Sequence, residues 1–322
     1  MDSLDSTIES NMLMRASSRS SCLLCGQEGK ALYLALKDRL FGATGSWNSK
    51  RCPNESCGLI WLDPMPLANE LWKAYGTYYT HSYRESSAKV GFLRRVYRGV
   101  GKRRWEKKVR MVYGPPQGRL LDVGCGAGEG LLFLREMGWQ VQGVDFDENA
   151  VNAARKMRLD VQRGSLKEQS FPDGTFDVVN LSHVIEHLPD PIETLAECRR
   201  ILKRGGKLVL FTPNSSSLGH RIFKGDWRGL EPPRHLHIFS AKSMRLALIA
   251  AGFHDLRIYP QTALSINYES ILLRLSPGRT CNRARRNWTA WVFAQLLAIM
   301  ETAIQKRKPE LIECLVAVAT KE

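Results

Sequence analysis

The chain has 322 residues, 43% of them hydrophobic and 25% charged, a globular composition with room for one large domain and a smaller one. Its formal net charge of +15 favours an acidic partner: nucleic acid, an anionic lipid surface or a phosphorylated substrate. No apolar run reaches the ~18 residues of a spanning helix, and no secretory signal stands at the start, so a cytoplasmic protein with its eight cysteines reduced is expected.

Residues 1–20 are Ser-rich and read as a disordered tail. Residues 21–66 carry two cysteine pairs, C-x2-C at Cys22 and Cys25 and C-x4-C at Cys52 and Cys57, each followed by a glycine. Two such knuckles set four thiolates tetrahedrally around Zn²⁺. Four cysteines leave no open coordination position, so a structural ion in a small zinc ribbon is expected. Residues 67–118 are rich in Tyr, Trp, Lys and Arg and read as a helical basic linker that covers a ligand site. From Arg94 to Arg110 the basic run is opposed by Glu106 alone, and "GPPQG" at Gly114–Gly118 breaks the helical pattern.

From Arg119 to the end the pattern alternates strand and helix. Strands are predicted at Leu120–Val123, Val141–Asp145, Val161, Phe176–Leu181, Lys207–Thr212 and Asp255–Tyr259. Helices are predicted at Glu129–Met137, Glu148–Met157, Ile192–Leu202 and Ala241–Ala251. This builds an α/β domain, a parallel sheet with helices on both faces. Insertions at 213–240 and 261–311 interrupt the rhythm, and long connections of this kind are functional or disordered.

Ligands of such a sheet bind at the carboxyl ends of its strands. There "LLDVGCGAGEG" (Leu120–Gly130) places Gly124, Gly126 and Gly128 before a helix with free N–H groups. Asp145 ends the next strand, where a carboxylate can accept both ribose hydroxyls. A dinucleotide motif has Gly or Ala where this chain has Glu129. Asp122, just before the turn, repels a pyrophosphate and suits an ammonium group. A nucleoside with an amino-acid tail satisfies both facts.

With "VQGVDFDENAV", "FPDGTFDVVNLSHVIEHLPDP" and "LKRGGKLVLFTPN" in that order, the chain over Arg119–Tyr259 resembles the class I S-adenosylmethionine-dependent methyltransferases. Within that class, "HVIEHLPDP", "PPRHLHIFS" and the paired cysteines are similar to the branch of ubiquinone-biosynthesis O-methyltransferases and of zinc-ribbon enzymes acting on secondary metabolites and polysaccharides. The resemblance implies a Rossmann-like seven-stranded sheet whose last strand is antiparallel, at Cys314–Thr320. It also implies S-adenosyl-L-methionine as cofactor. Asp122, Gly124, Cys125 and Gly126 would meet its methionine part, and Asp145 its ribose. Phe146 would lie beside the adenine, Ser165 at the adenine edge and Ser182 beneath the sulfonium.

Methyl transfer to a hydroxyl gains from a base of near-neutral pKa, and His is the usual one. Three readings of the histidines stand. His183 or His235 is the base. Alternatively His183, Glu186 and His187, with His235 or His237, bind a divalent cation. This arrangement resembles the Glu-x-x-Glu-His site of small-RNA 2′-O-methyltransferases, with His183 in place of the first Glu. In the third reading Glu186 and His187 tie the loop to the sheet. The apolar run Ala290–Met300, preceded by Arg279, Arg283, Arg285 and Arg286 and followed by Lys306–Lys308, lies either in an anionic membrane interface or in the core.

Together these features predict a methyltransferase acting, through oxygen, on a small-molecule, saccharide or lipid-linked acceptor, anionic in keeping with the basic chain. An RNA methyltransferase and a non-catalytic cofactor-binding partner subunit are the alternatives. Nucleic acid ranks lower because no RNA-binding module is recognised.

Overall fold

A computed structural model describes residues 14–76, 106, 109–276 and 287–322. Residues 1–13 of the expected tail lie outside it, as do most of the basic run of 94–110 and the four arginines of 279–286.

The N-terminal strands are β1 (Ala16–Ser17), β2 (Lys30–Leu36), β3 (Trp47–Arg51), β4 (Ile60–Leu62) and β5 (Met65–Pro66), followed by a 3-10 helix at Ala68–Tyr75. The large domain runs β6 (Arg119–Val123), α1 (Glu129–Glu136), β7 (Gln140–Asp145), α2 (Glu148–Lys156), β8 (Val161–Arg163), β9 (Phe176–Ser182), α3 (Pro191–Ile201) and β10 (Leu202–Pro213). It continues with α4 (Leu218–Phe223), β11 (His237–Ile238), α5 (Ala241–Ala250), β12 (Asp255–Gln261), α6 (Leu264–Leu275), α7 (Trp288–Ile304) and β13 (Cys314–Thr320).

The central sheet has seven strands in the order β12-β13-β10-β9-β6-β7-β8. All run parallel except β13, which lies antiparallel between β10 and β12. Side-chain alternation along the strands explains the two-sided core. Leu121, Val179, Leu181, Leu208 and Leu210 face one way, towards α3 and α5. Leu120, Val178, Val209 and Val316 face the other, towards α1 and α2. Helix starts follow local chemistry: Asp147 accepts from Asn149 N at α2, and Asp190 from Glu193 N at α3, with Pro191 in the first turn. Ser240 and Ser243 form a capping box at α5.

The N-terminal region is less separate than its composition suggests. Residues 14–20, expected to belong to a loose tail, are held: β1 pairs with β5, and Arg15 and Arg19 donate backbone N–H groups to Glu70 and Asp63. The sheet of the ribbon is completed from the other end of the chain, because β11 from the first insertion pairs with β4 in the order β11-β4-β3-β2. Trp47, Leu59, Trp61 and Leu62 then share one core with the face of the main sheet that carries Leu121 and Leu181.

The four cysteines converge at the tip of this sheet. Cys22 and Cys57 Sγ are 3.6 Å apart, Cys25 and Cys52 Sγ are 3.3 Å apart, and all four lie within 4.8 Å of one another. A tetrahedron with Zn–S bonds of ~2.3 Å has edges of about 3.8 Å, so these sulfurs fit a zinc ion, whereas a disulfide needs about 2.05 Å. Gly26 and Gly58 follow the second cysteine of each knuckle at φ +74° and +63°, where a side chain would be strained.

Arg234 adds a buried polar tie between the ribbon and the large domain. Arg234 has no solvent exposure, and its guanidinium lies 4.6 Å over the Phe41 ring. It donates to Asp38 Oδ2 at 2.7 Å, Glu231 Oε1 at 2.8 Å and the carbonyl of Ala74 at 2.7 Å. Replacing it with Ala leaves the buried carboxylates of Asp38 and Glu231 without that cation. Chemical denaturation of Arg234→Ala is expected to show a loss of about 3–5 kcal/mol. A loss below about 1 kcal/mol would show that the ion pairs do not hold the two parts together. For the metal, elemental analysis of protein prepared without chelator is expected to find about one zinc per chain, absent from Cys22→Ser and Cys52→Ser. Because β4 and β11 share a sheet, that loss should lower the melting temperature of the whole molecule and not of the ribbon alone.

Candidate functional site

The strand order reverses between β6 and β9, and ligands of an open α/β sheet bind outside the carboxyl ends of the strands at such a point. A cavity of about 1220 Å³ opens there. Gly124 and Gly126, Asp145 and Phe146, Ser165, and Ser182 with His183 reach it from successive strand ends. Trp72 and Tyr75 of the 3-10 helix cover it, and α6 closes one side with Ile266 and Glu269.

The glycine loop is built for close approach. Gly124 has φ +70° and donates to Val144 O at 2.7 Å, and a Cβ on it would meet Val184 Cγ2 at 2.4 Å. Gly126 N donates to Asp145 Oδ2 at 2.7 Å, and Asp147 N to Asp145 Oδ1 at 2.9 Å. These bonds fix the Asp145 carboxylate at the end of β7. Phe146 is 52% exposed, and Tyr75 meets it edge-on with ring centroids 5.1 Å apart.

Asp122 and Cys125 lie beneath the cavity and do not line it. Asp122 is 6% exposed and accepts from Asn180 Nδ2 at 2.6 Å, while Tyr113 OH donates to Asn180 Oδ1 at 2.8 Å. Burial pushes the Asp122 carboxyl up, the Asn180 bond works against this, and the Asp145 charge adds to it, leaving it at about 7. A buried carboxylate with a raised pKa would gain from a cationic group brought near it.

Beyond β9 the chain turns at His183, whose φ of +56° is left-handed, with its N–H donating to Phe211 O at 2.8 Å. The half-exposed His183 ring sits at the cavity mouth with Nδ1 3.3 Å from Glu186 Oε1. Glu186 is fully buried and its Oε2 accepts from the Thr212 hydroxyl at 3.0 Å. Burial raises its carboxyl, but the His183 bond and the fields of His183, His187 and His235 outweigh this and bring it to about 2. Glu186 is therefore an ionised acceptor that turns His183 Nδ1–H towards itself.

His187 and His235 form a second group, with ring centroids 4.7 Å apart. His187 Nδ1 lies 3.0 Å from the carbonyl of Arg234 and 3.0 Å from the Tyr75 hydroxyl, and His235 Nδ1 donates to Gly229 O at 2.7 Å. Burial lowers both imidazoles, His187 to about 4, so both are neutral at pH 7. Glu186, His187 and His235 bring one ligand atom each within 4.8 Å of one another. His183 is not in that set, and neither is His237, which is buried in β11 with Nδ1 donating to Leu188 O. The grouping expected from sequence is thus corrected to Glu186, His187 and His235.

Residues that drew no attention in the sequence complete the wall. Arg228 pairs with Glu231 and, at 2.7 Å, with Glu269, and all three line the cavity. Nothing in one dimension marks Glu269 as their neighbour, since it enters from α6.

A family model described as a methyltransferase domain matches residues 93–258. A probable S-adenosylmethionine-dependent methyltransferase of Mycobacterium tuberculosis is 37% identical over 139 residues, 42% of this chain and 48% of the relative. A ubiquinone biosynthesis O-methyltransferase of Xanthomonas oryzae is 36% identical over 103 residues, 30% of this chain and 43% of the relative. The chain thus spans less than half the length of either relative. Among solved structures, a SAM-dependent methyltransferase from Archaeoglobus fulgidus aligns with TM-score 0.46 and 24% identity, covering 70% of this chain and 94% of that one. With the family model matching more than half of its residues, this chain belongs to the methyltransferase-domain family, the class I S-adenosylmethionine-dependent methyltransferases.

Proposed function

We propose that the protein transfers the methyl group of S-adenosylmethionine to an oxygen of a small-molecule, saccharide or lipid-linked acceptor. The cofactor supplies an electrophilic methyl on a sulfonium. The glycine loop and Asp145 would hold its nucleoside, Phe146 would flank the base, Ser165 and Ser182 would line its length, and Asp122 would offset its ammonium from below.

The His183–Glu186 pair carries the assignment of chemistry. A fully buried carboxylate orients an imidazole that stands at the mouth of the cavity. His183 would take up the proton that the acceptor hydroxyl loses as the bond from sulfur to the methyl carbon breaks and the demethylated thioether leaves. The choice of oxygen is supported by the name of the Xanthomonas oryzae relative. His235 is the weaker base, because burial keeps it far below the ordinary imidazole range.

A second reading rests on Glu186, His187 and His235. Each imidazole is directed by a carbonyl on Nδ1, as metal-bound histidines are, and the three donors suit a divalent cation. In that case activity falls with EDTA and returns with Mg²⁺, Mn²⁺ or Zn²⁺. Incubation with radiolabelled cofactor and fractionated cell extract separates acceptor classes. Label in lipid or saccharide supports the proposal, label in RNA favours an RNA methyltransferase, and no label favours a regulatory subunit.

His183→Ala is expected to slow turnover by roughly 10²–10⁴-fold, with cofactor affinity little changed. Turnover within a few-fold of wild type would leave alignment as the source of rate. The floor makes its own forecast. Burial pushes the Asp122 carboxyl up to about 7, and only its ionised form attracts an ammonium. Cofactor affinity should therefore rise with pH up to about 7 and level off above it, by at most about tenfold per unit. Calorimetry across that range should show the slope in wild type and a flat line in Asp122→Asn. An equal slope in both would exclude Asp122 as its source.

A further inference from the structure

Helix α7 packs one narrow side into the protein. Ala290, Ala294, Leu297 and Glu301, at helical spacing, are its buried residues, and Ala290 joins Leu272 and Leu273 of α6. The rest of its surface is open and apolar. Trp288 is 74% exposed, Phe293 and Ile299 63%, Leu296 55%, Trp291 53% and Met300 43%. From Trp288 to Met300 no residue is charged, and Glu301, the helix's one acidic residue, is buried. Exposed Lys306, Arg307 and Lys308 follow its last turn. Large apolar patches on a water-soluble surface mark contact sites. Among the described residues no helix is long and apolar enough to cross a membrane.

We propose that α7 is a docking surface for an anionic lipid bilayer. Its open face inserts the apolar side chains at the level of the headgroups, while Lys306, Arg307 and Lys308 contact lipid phosphates. Charge complementarity argues for this occupant over a protein. The face offers little polar chemistry to fix a register, two tryptophans of the kind that settle at membrane interfaces, and cations at one end. The site also gains a geometry from this placement: α6, against which α7 packs, lines the cavity with Ser265, Ile266 and Glu269, so the acceptor side lies next to the docked helix. That last point rests on the proposed lipid-linked acceptor, whereas docking itself stands on α7 alone.

The test uses the full chain floated with phosphatidylcholine vesicles with and without phosphatidylglycerol. Wild type should float with the anionic vesicles only, be released by high salt, and show a blue shift of tryptophan emission on binding. Phe293→Ser with Leu296→Ser should weaken binding by about tenfold or more while the melting temperature and cofactor affinity stay unchanged, since both side chains face outward. Absence of flotation on anionic vesicles would overturn the proposal, as would equal flotation of the double variant. A wild-type dimer that the double variant returns to monomer, with vesicles not competing, would assign the face to self-association and overturn it too. Loss of cofactor binding in wild type would instead refute the methyltransferase reading and leave the flotation result standing.

Discussion

The architecture depends on one buried cation. A guanidinium without solvent contact is tolerated only if its donors are met and its charge is balanced. Arg234 meets this with Asp38 of the ribbon, Glu231 of the insertion, the carbonyl of Ala74 and the face of Phe41. Arginine suits the role because its planar fork reaches several partners at fixed angles, which an ammonium cannot do. Removing any one partner exposes the others to the desolvation cost of an unpaired charge. The ribbon, the covering 3-10 helix and the insertion therefore hold their places together.

That constraint reaches the His183–Glu186 loop through a short chain of bonds. Leu236 N donates to the carbonyl of Glu186 at 2.7 Å, and Leu62 N of the ribbon donates to the carbonyl of Leu236 at 3.0 Å. The peptide carrying Glu186 is thus supported by residues next to Arg234 and, one step further, by β4. Tyr75, at the end of the covering helix, reaches His187, and Glu231 lies 3.4 Å from His235 Nε2. The four-cysteine cluster can in this way bear on the cavity without touching it. It fixes the strand on which the insertion pairs, and the insertion fixes the loop that carries His183.

Much of this was legible in the sequence, and the physical reason is locality. The strands of the main sheet announce themselves through apolar runs that end in glycine or aspartate, and Cys314–Thr320 took the antiparallel place that the family resemblance implied. The cysteine knuckles are also local, each set by a tight turn. What escaped was the joining of distant segments. Nothing in "PPRHLHIFS" shows that its histidine at 237 would enter a strand opposite Trp61, or that Arg234 would seek Asp38. His183, Glu186 and His187 stand together in sequence, yet the loop sends His183 to the mouth and turns His187 inward to His235. Spacing of side chains on a regular helix was no guide there, because the segment is a left-handed residue followed by a single 3-10 turn at Ile185–His187.

The cavity divides accordingly into a wall and a floor with different electrostatic character. In the wall, Arg228 is matched by Glu231 and Glu269. Such a wall is complete in the absence of ligand and serves to hold shape. On the floor, Asp122 has an amide donor, and its raised carboxyl reflects burial together with the Asp145 charge nearby. Stability follows with a definite sign: Asp122 titrates above its ordinary value in the folded state, so its contribution is fully present at acid pH and is lost as pH rises through about 7. A cation bound above it would favour the carboxylate and offset that loss. The cost of an ionised Asp122 is set by its burial and by the Asp145 charge, and the Asn180 amide offsets part of it.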